Sequence, residues 1–336
     1  MNPNRALVER MSTLEVGPAA RPGHLMLFPL LDRREGREES SADLQYLLYQ
    51  QAHRTGLVII EEIDESGIVG ALRVTNQAAS AVLLLEGEVL LGMKQTRVLN
   101  VSVLVPHQTR LDVPVSCVEA GRWRSVSQRA IGRAGINLAP SVRRAKSASV
   151  GRSMRRRLSF ASDQGAVWQE VDRVLDAHQV ATPTRSYAEI ANRRPPKVVN
   201  VADRVRPAPN QVGVVACLGS RPVCADVFET PEVLAVVWEG LVASYAADPD
   251  DFGRHASAPA TTPGPEEIGV WLSAVGGGSI TAGPQLGLGE HLTSVAPSVE
   301  AAALVFEDRV VHLSVFQADD AQRRSTFAAP SRRRTG

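Results

Sequence analysis

Runs and alternations of hydrophobic residues mark residues 82–123, where the pattern predicts three consecutive β-strands. Residues 82–91 are nearly continuous Val and Leu, which favours a strand buried on both faces. Residues 95–105 and 109–119 alternate apolar and polar positions, and the apolar positions in both runs are odd-numbered. Residues 106–108 lie between them, so we predict a hairpin whose two apolar faces pack on the same core.

Two carboxylates interrupt the first of these strands. Glu86 and Glu88 flank Gly87 within the Val and Leu run. Burying an unpaired charge is costly, and a glycine inside a strand is typical of a bulge or a close backbone approach. We therefore expect the chain to bend at Gly87 and both carboxylates to face cations or solvent.

Side-chain alternation also predicts a contact between Arg97 and Glu119. Both apolar sets are odd-numbered, so odd positions must pair with odd positions. Two registers remain open, in which Val105 pairs either with Leu111 or with Thr109. In the first, Arg97 lies directly opposite Glu119, and in the second the two are diagonal neighbours. Either register predicts an ion pair at one end of the apolar face.

This end of the hairpin has two interpretations. The first is a structural ion pair that closes a barrel or sandwich end. The second is a site for an anionic, ring-bearing ligand such as a nucleotide, because cations, amides and an aromatic ring cluster here. The candidate ligand-binding residues are Lys94, Gln95, Arg97, Asn100, Arg122 and Trp123. The candidate catalytic residues are Glu86, Glu88 and Glu119, with Glu86 or Glu88 as a general base.

Composition narrows the class of protein. Of 336 residues, 44% are hydrophobic and 22% charged, which is typical of globular proteins. A formal net charge of +1 gives no bulk attraction to nucleic acid or to a membrane surface. No apolar run approaches the roughly 20 residues that a membrane helix needs. Cys117, Cys217 and Cys224 lack metal-ligand spacing, and this low, odd count predicts a cytoplasmic protein.

Known chemical motifs do not occur in the chain. It contains no zinc-ligand spacing, no GxSxG, no Walker sequence and no dinucleotide-binding fingerprint. We therefore predict neither a cofactor nor a resident metal. Hydrolysis with a metal held by Glu86, Glu88 and a histidine is a weaker alternative.

The remaining patterns predict one principal α+β domain, a mainly antiparallel β sandwich or partly open barrel with several packed helices. Helices are predicted over 43–55, 167–179 and 231–247, a hairpin over 212–228, and strands over 270–275, 301–307 and 310–316. The predicted organisation is a flexible lead (1–21), a single domain (22–320) and a disordered tail (321–336). Within the domain, residues 22–123 are β-rich, 124–200 form a helical insert and 210–316 are mixed α and β.

Three further features have a structural and a functional interpretation. Residues 143–157 hold 7 basic residues, which predicts a solvated basic face or, alternatively, a surface that binds phosphate or nucleic acid. Without interleaved aromatics, nucleic acid is the less favoured partner. Asp226 is expected to form a local cap or ion pair, with a ligand-binding role as the less favoured alternative. His312, between valine and leucine, is expected to be a core histidine bonded to backbone.

Two sequence blocks resemble a known family. EGEVLLGMKQTRVLN (86–100) and PVSCVEAGRW (114–123) are similar to the ARG and rhodanese-phosphatase-superfamily-associated protein domain. The segments at 215–233 and 304–316 also fit, so the resemblance covers roughly residues 22–320. The family is bacterial and is named for genomic neighbours that include ADP-ribosylglycohydrolases. The resemblance implies a place in NAD or ADP-ribose metabolism and supplies no reaction.

We therefore expect the protein to bind, and hypothesise that it turns over, a phosphorylated nucleotide-like small molecule at the Lys94, Arg97, Glu119 and Arg122 end of the hairpin. Lys94, Arg97 and Arg122 would neutralise phosphate. The alternative is a non-catalytic structural or protein-interaction module, including a homo-oligomer, in which the same charges act as internal staples. Whether it is an enzyme is left open.

Overall fold

The structure is a computed structural model, and it describes residues 3–33, 44–63, 70–122, 127, 129–193, 198, 201, 203–249 and 262–318. Within these residues the chain has an α+β fold built on three sheets. All strand pairs are antiparallel except the pair of β3 (Tyr46–Leu48) with β6 (Ala81–Leu84). The predicted fold class is therefore confirmed.

The largest sheet has eight strands and apolar side chains on both faces. In spatial order its strands are β1 (Leu14–Val16), β2 (Leu25–Asp32), β12 (Gln211–Leu218), β13 (Arg221–Phe228), β17 (Arg309–Gln317), β16 (Val299–Phe306), β15 (Glu290–Val295) and β14 (Ser279–Ala282). Side chains alternate between faces, so Leu27 packs with helix α6 (Pro231–Ala246) and Phe28 packs on the opposite face. Helices α1 (Pro3–Ser12) and α7 (Pro265–Ser273) cover that opposite face.

The second sheet curls into a partly open barrel. In spatial order its six strands are β11 (Ala130–Asn137), β7 (Glu88–Gly92), β8 (Arg97–Leu99), β10 (Thr109–Cys117), β5 (Ala71–Asn76) and β4 (Val58–Glu61). An isolated bridge between Glu61 and Arg129 brings the two edges together, and their side chains lie 3.5 Å apart. The odd-numbered residues Leu99, Val113 and Val115 pack inside the same core, as the alternation predicts.

The predicted strand over 95–105 is in fact two strands, because its second half changes partner. β9 (Val103–Val105) leaves the barrel and pairs with β6, which forms a third sheet of three strands with β3. The predicted strand over 82–91 is likewise broken into β6 and β7 by a turn at Glu86 and Gly87. The predicted bend at Gly87 is thus confirmed.

Four helices lie around the barrel and between the sheets: α2 (Tyr49–Arg54), α3 (Pro140–Arg157), α4 (Gln164–Ala177) and α5 (Ala188–Arg193). Helix α3 is central, because its Val150 and Met154 pack in the barrel core while the helix also contacts β13, β16 and β17 of the large sheet. The buried positions 143, 146, 150 and 154 are spaced three or four residues apart and form one helical face.

Several predicted elements are confirmed, and others need correction. β12 and β13 form the predicted hairpin, and α6 begins after Thr230, whose hydroxyl accepts a hydrogen bond from Val233 N at 3.5 Å. The strand predicted over 270–275 is wrong. Residues 270–273 instead form the last turn of α7, whose first turn is stabilised because the Glu267 carboxylate accepts a hydrogen bond from Gly264 N at 2.7 Å.

The N-terminal segment and the helical insert also differ from the predictions. Residues 3–12 of the expected flexible lead form α1, whose Leu7 is fully buried in the core. The insert contains strand β11 as well as helices. Of the helix predicted over 43–55, the structure shows β3 followed by α2, and residue 43 lies outside the described residues, as does the tail 321–336.

Candidate functional site

The break between β6 and β7 lies beside the break between β8 and β9. Together they bring polar groups into the space under α3. Gly87 N donates to Leu99 O at 3.2 Å, and Glu86 N donates to the Ser102 hydroxyl at 2.9 Å. Gly87 adopts φ +83, and a Cβ there would lie 3.0 Å from Arg143 Nε. Glycine is needed at this position both for the backbone angle and for the approach of the arginine.

Arg143 joins the turn to the large sheet through two carboxylates. Its Nε and Nη2 donate to Glu86 Oε2 at 2.9 and 2.7 Å. Its Nη1 and Nη2 donate to Asp226 at 2.9 and 2.5 Å. The guanidinium also lies over the ring of Phe316, 5.3 Å from its centroid. The side chain is only 1% exposed, so these partners replace its hydration.

Lys146 supplies the second buried cation. Its Nζ lies 2.6 Å from Glu86 Oε1 and donates to Asn100 O at 2.8 Å. Burial works against ionisation of Glu86, but Arg143 and then Lys146 outweigh it and hold the pKa of Glu86 below its ordinary value. Burial lowers the pKa of Lys146, although Glu86 opposes that shift. Glu86 is therefore a fixed anion, and this weakens its predicted role as a general base.

The cluster continues from Asp226 to His312 and from His312 to Ser102. Although burial opposes it, Arg143 holds the pKa of Asp226 well below its ordinary value, and Tyr245 donates to its Oδ2 at 2.5 Å. His312 Nε2 lies 3.4 Å from Asp226 Oδ1, and His312 Nδ1 lies 2.7 Å from the Ser102 Oγ. His312 thus bonds to side chains and not to the backbone, which corrects the expectation for this residue.

A cavity of about 30 Å³ opens next to this cluster, between α3 and strands β15 to β17. Glu86, Ser102 and His312 line it from the cluster, and His291 lines it from β15. By volume it holds about two water molecules.

Arginines on α3 form a basic rim, which we define as Arg152, Arg155 and Arg156. Arg155 lines the cavity and its side chain lies over Gly151, where a Cβ would approach Nη1 to 3.2 Å. Burial lowers the pKa of Arg155; the charge of Glu300 opposes this, and Arg152 and Arg156 add to it. Positive charges that repel one another beside a cleft favour an anionic ligand.

The other end of the barrel holds the pair predicted from alternation. Val115 lies opposite Leu99, so Arg97 lies opposite Cys117 and diagonal to Glu119, which is the second of the two predicted registers. The predicted ion pair is nevertheless replaced. Arg97 Nη1 donates to Gln95 Oε1 at 3.0 Å and contacts Cys117 Sγ, and Nη2 lies 3.8 Å from Glu62.

Glu119 instead pairs with Arg122, three residues away. Arg122 Nη2 and Nε donate to its carboxylate at 2.7 and 2.9 Å, and Thr96 N donates to Oε2 at 2.9 Å. Burial opposes ionisation, yet these bonds hold the pKa of Glu119 below its ordinary value. The chain turns back after Cys117, and this brings Arg122 closer to Glu119 than a cross-strand partner.

The remaining predicted residues divide between the two regions. Lys94 and Gln95 lie at the barrel end. Lys94 is partly buried, and its backbone N–H donates to the Glu62 carboxylate at 3.1 Å. The Gln95 side-chain amide donates to Glu119 O at 2.9 Å. Asn100 lines the cavity instead. Glu88 is buried and accepts a hydrogen bond from Leu85 N at 3.1 Å. Trp123 lies outside the described residues.

Sequence reasoning did not identify Arg143, Lys146, Asp226 or His312 as one cluster. The expected solvated face of residues 143–157 is wrong for Arg143 and Lys146, whose side chains are 1% and 0% exposed. The spacing i, i+3 between them was a usable signal, because it places both on one helical face. The local cap or ion pair expected for Asp226 needs correction, because Asp226 pairs with Arg143, 83 positions away.

Fold and site together define an α+β protein with a partly open barrel, in which buried ion pairs border a small cavity. The chain belongs to the family of the ARG and Rhodanese-Phosphatase-superfamily-associated Protein domain, whose model matches residues 13–316. No curated protein and no solved structure is significantly similar to this chain. Among the described residues, no helix is long and apolar enough to cross a membrane, and no group of three or more His, Cys, Asp or Glu could hold a metal ion.

Proposed function

We propose that the protein binds a phosphorylated, nucleotide-like ligand of NAD or ADP-ribose metabolism in the cavity under α3. Its phosphate groups would contact the basic rim, and one polar end would enter the cavity. The family name associates the domain with ARG and rhodanese-phosphatase proteins, which supports this sphere of metabolism.

The observation that carries the proposal is the juxtaposition of buried charges with a small open cavity. Four charged side chains, Arg143, Lys146, Glu86 and Asp226, are at most 4% exposed, and Glu86 lines the cavity. Apolar residues of the same volume would stabilise a core at least as well as a buried ion pair. A cluster of this kind at a cleft is therefore better explained by binding or catalysis than by stability.

The basic rim is suited to an anionic ligand, and the volume of the cavity limits the size of the group that can enter it. Arginine binds phosphate through a planar set of donors, and Arg155 lines the opening. A volume of about 30 Å³ admits only a small terminal group. The bulk of the ligand would then lie along α3, outside the cavity.

Calorimetry with ADP-ribose, NAD and nicotinamide mononucleotide tests the proposal. We expect wild-type protein to bind at least one of them below millimolar concentration. Arg155→Ala should weaken binding about tenfold, as loss of one charge-assisted phosphate contact predicts. Arg110→Ala is the matched control, because Arg110 is an exposed arginine on β10 that does not line the cavity. Absence of binding by all three compounds would remove the proposal.

The same titrations compare this location with the predicted site at Lys94, Arg97, Glu119 and Arg122. The geometry favours the cavity, because the Arg97 side chain is 0% exposed. If Arg122→Ala abolished binding while Arg155→Ala had no effect, the ligand site would be at the barrel end.

The second candidate is a non-catalytic structural or interaction module, including a homo-oligomer. The full burial of Arg97 and its bonds with Gln95 and Glu62 favour it, because they describe an internal staple. This candidate predicts that Arg97→Ala lowers stability and that no variant changes the binding of any nucleotide. Sedimentation velocity would report the oligomeric state.

A further inference from the structure

We propose that Ser102, His312 and Asp226 act as a nucleophile, base and carboxylate that hydrolyse a carboxylic ester on the ligand in the cavity. The inference rests on the proposed binding function and assigns a reaction to the same site. The substrate class is a short-chain acyl ester of a phosphorylated nucleotide-like compound.

The three side chains form a continuous series. Ser102 Oγ lies 2.7 Å from His312 Nδ1, and His312 Nε2 lies 3.4 Å from Asp226 Oδ1. Ser102 Oγ already accepts a hydrogen bond from Glu86 N at 2.9 Å, so its own hydrogen is available to Nδ1. That arrangement requires the hydrogen of a neutral imidazole on Nε2, which faces the carboxylate. Serine is thus placed to lose its proton to histidine.

Neighbouring groups hold the base and the carboxylate in position. The His312 ring stacks on Phe228 with centroids 4.9 Å apart and an interplanar angle of 25°. Arg143 keeps Asp226 ionised through two hydrogen bonds, so a negative charge is present to stabilise the imidazolium that forms. A fixed ring and a fixed charge are what nucleophile activation requires.

The imidazole is turned relative to the common arrangement of such triads. Here Nδ1 faces the serine and Nε2 faces the aspartate, whereas serine proteases use the opposite nitrogens. The roles depend on contact and charge, not on chain order or on which nitrogen is used. This explains why no GxSxG or other sequence motif indicates the site.

The reaction needs only water as a co-reactant. Ser102 Oγ forms a bond with the ester carbonyl carbon, and its proton passes to His312 Nδ1. The tetrahedral intermediate collapses with loss of the alcohol, which takes that proton. Water then attacks the acyl carbon and gives a proton to His312; the bond between that carbon and Ser102 Oγ breaks, the carboxylic acid leaves, and His312 returns the proton to Oγ.

The cavity is consistent with a short acyl chain. Ser102 and His312 both line it, and its volume of about 30 Å³ equals that of two waters, similar to an acetyl group. Arg155 lines the same cavity, so a phosphate of the alcohol portion would remain at the rim while the acyl group reaches Ser102.

Hydrolysis of p-nitrophenyl acetate by the purified full chain tests the relay independently of the nucleotide. We expect Ser102→Ala and His312→Gln to lower kcat/KM about 100-fold or more, the range for loss of base and nucleophile. Acid-quenched samples should carry an acetyl group on Ser102 by peptide mass spectrometry.

Ser149→Ala is the matched control, since Ser149 is a buried serine of α3 that does not line the cavity; it should keep the wild-type rate. If Ser102→Ala does not fold, Ser102→Cys preserves the size and should accumulate the acetyl group as a thioester. Wild-type turnover by Ser102→Ala, or no acetyl on Ser102 in the wild type, would overturn the relay. ADP-ribose binding retained by Ser102→Ala would show that the binding proposal survives such a failure.

Discussion

Arg97 and Arg143 are both fully buried arginines, yet their surroundings differ. Arg97 lies inside one end of the barrel and contacts Gln95, Cys117 and Glu62, of which only Glu62 is charged. Arg143 lies between two sheets and bonds directly with two carboxylates, at 2.9 Å or less. The first joins neighbouring parts of one sheet, whereas the second connects residues 57 and 83 positions away.

The comparison shows how buried charge can serve a fold in two ways. At the barrel end, the Arg97 side chain is 0% exposed and its contacts with Gln95, Cys117 and Glu62 are all local to that end. Under α3, the cluster has two cations and two anions and also borders a cavity. A cluster with an open side can exchange its hydrogen bonds with a ligand, and a closed one can only stabilise the fold. We therefore place the proposed function at the second cluster.

Removing Arg143 should have the largest effect on stability. Arg143→Met keeps the volume but leaves Glu86 and Asp226 buried without their shared cation. Breaking a buried pair in this way costs about 4–5 kcal/mol of unfolding free energy. Urea unfolding followed by circular dichroism measures it, with Arg110→Ala as an exposed arginine expected to change by less than about 0.5 kcal/mol. A loss below about 1 kcal/mol would show that the cluster does not join the sheets.

Arg97→Ala should cost less, about 3 kcal/mol, because only one of its three contacts is charged and that contact is longer, at 3.8 Å. The same urea experiment measures the loss. Binding of ADP-ribose should be unchanged once the variant is folded, which calorimetry checks. If Arg97→Ala abolished binding without lowering stability, the assignment of function to the two regions would be reversed.

Asp248, which is bonded to the start of α3, should make the stability of the protein depend on pH. Burial, opposed by hydrogen bonds from Ser141 and the charge of Arg173, raises the pKa of Asp248 to about 6, while its Oδ2 accepts from Ser141 N at 3.0 Å. Because the folded pKa lies above the unfolded one, the contribution of Asp248 to stability is complete below about pH 4. It is lost as pH rises through about 6. Glu86 and Asp226 have lowered pKa values, so their contribution is lost only at lower pH.

Asp248→Asn should remove this dependence. Between pH 4 and 7 the free energy of unfolding of the wild type should fall by about 2 kcal/mol relative to Asp248→Asn, since one pKa unit is worth about 1.4 kcal/mol. Urea titrations at both pH values for the two proteins measure the difference. Parallel pH profiles for the two proteins would show that Asp248 titrates in its ordinary range.

Local periodicity predicted much of the fold, and the site shows where such prediction ends. Alternation alone predicted that Leu99, Val113 and Val115 share one core. It also limited Arg97 to two registers, one of which is observed. It did not indicate that β9 would pair with β6 instead of β10, because alternation within a strand does not select among its possible partners. That exchange creates the break at residues 100–102, where Asn100 and Ser102 turn toward α3.

The cluster under α3 depends on contacts between distant parts of the chain. A run such as RRAKSASVGRSMRRR has the composition of an exposed helix, and only the carboxylates of Glu86 and Asp226 make burial of its first turns possible. The carboxylate in the β6–β7 turn was predictable as needing a cation, because burying it alone is too costly. The sequence did not show which cation would pair with Glu86, because Arg143 is 57 positions away.

The smallest expected effect sharpens the comparison at the barrel end. Arg122 and Glu119 are three residues apart and their side chains are 13% and 5% exposed, so the pair is local and only partly shielded from water. A double-mutant cycle with Arg122→Ala and Glu119→Gln should give a coupling free energy of about 1 kcal/mol, close to that of surface pairs. The corresponding cycle with Arg143→Met and Asp226→Asn should give a value several times larger, because both partners are fully buried. Equal couplings in the two cycles would mean that the distinction between a closed local pair and a cluster joining two sheets has no energetic basis.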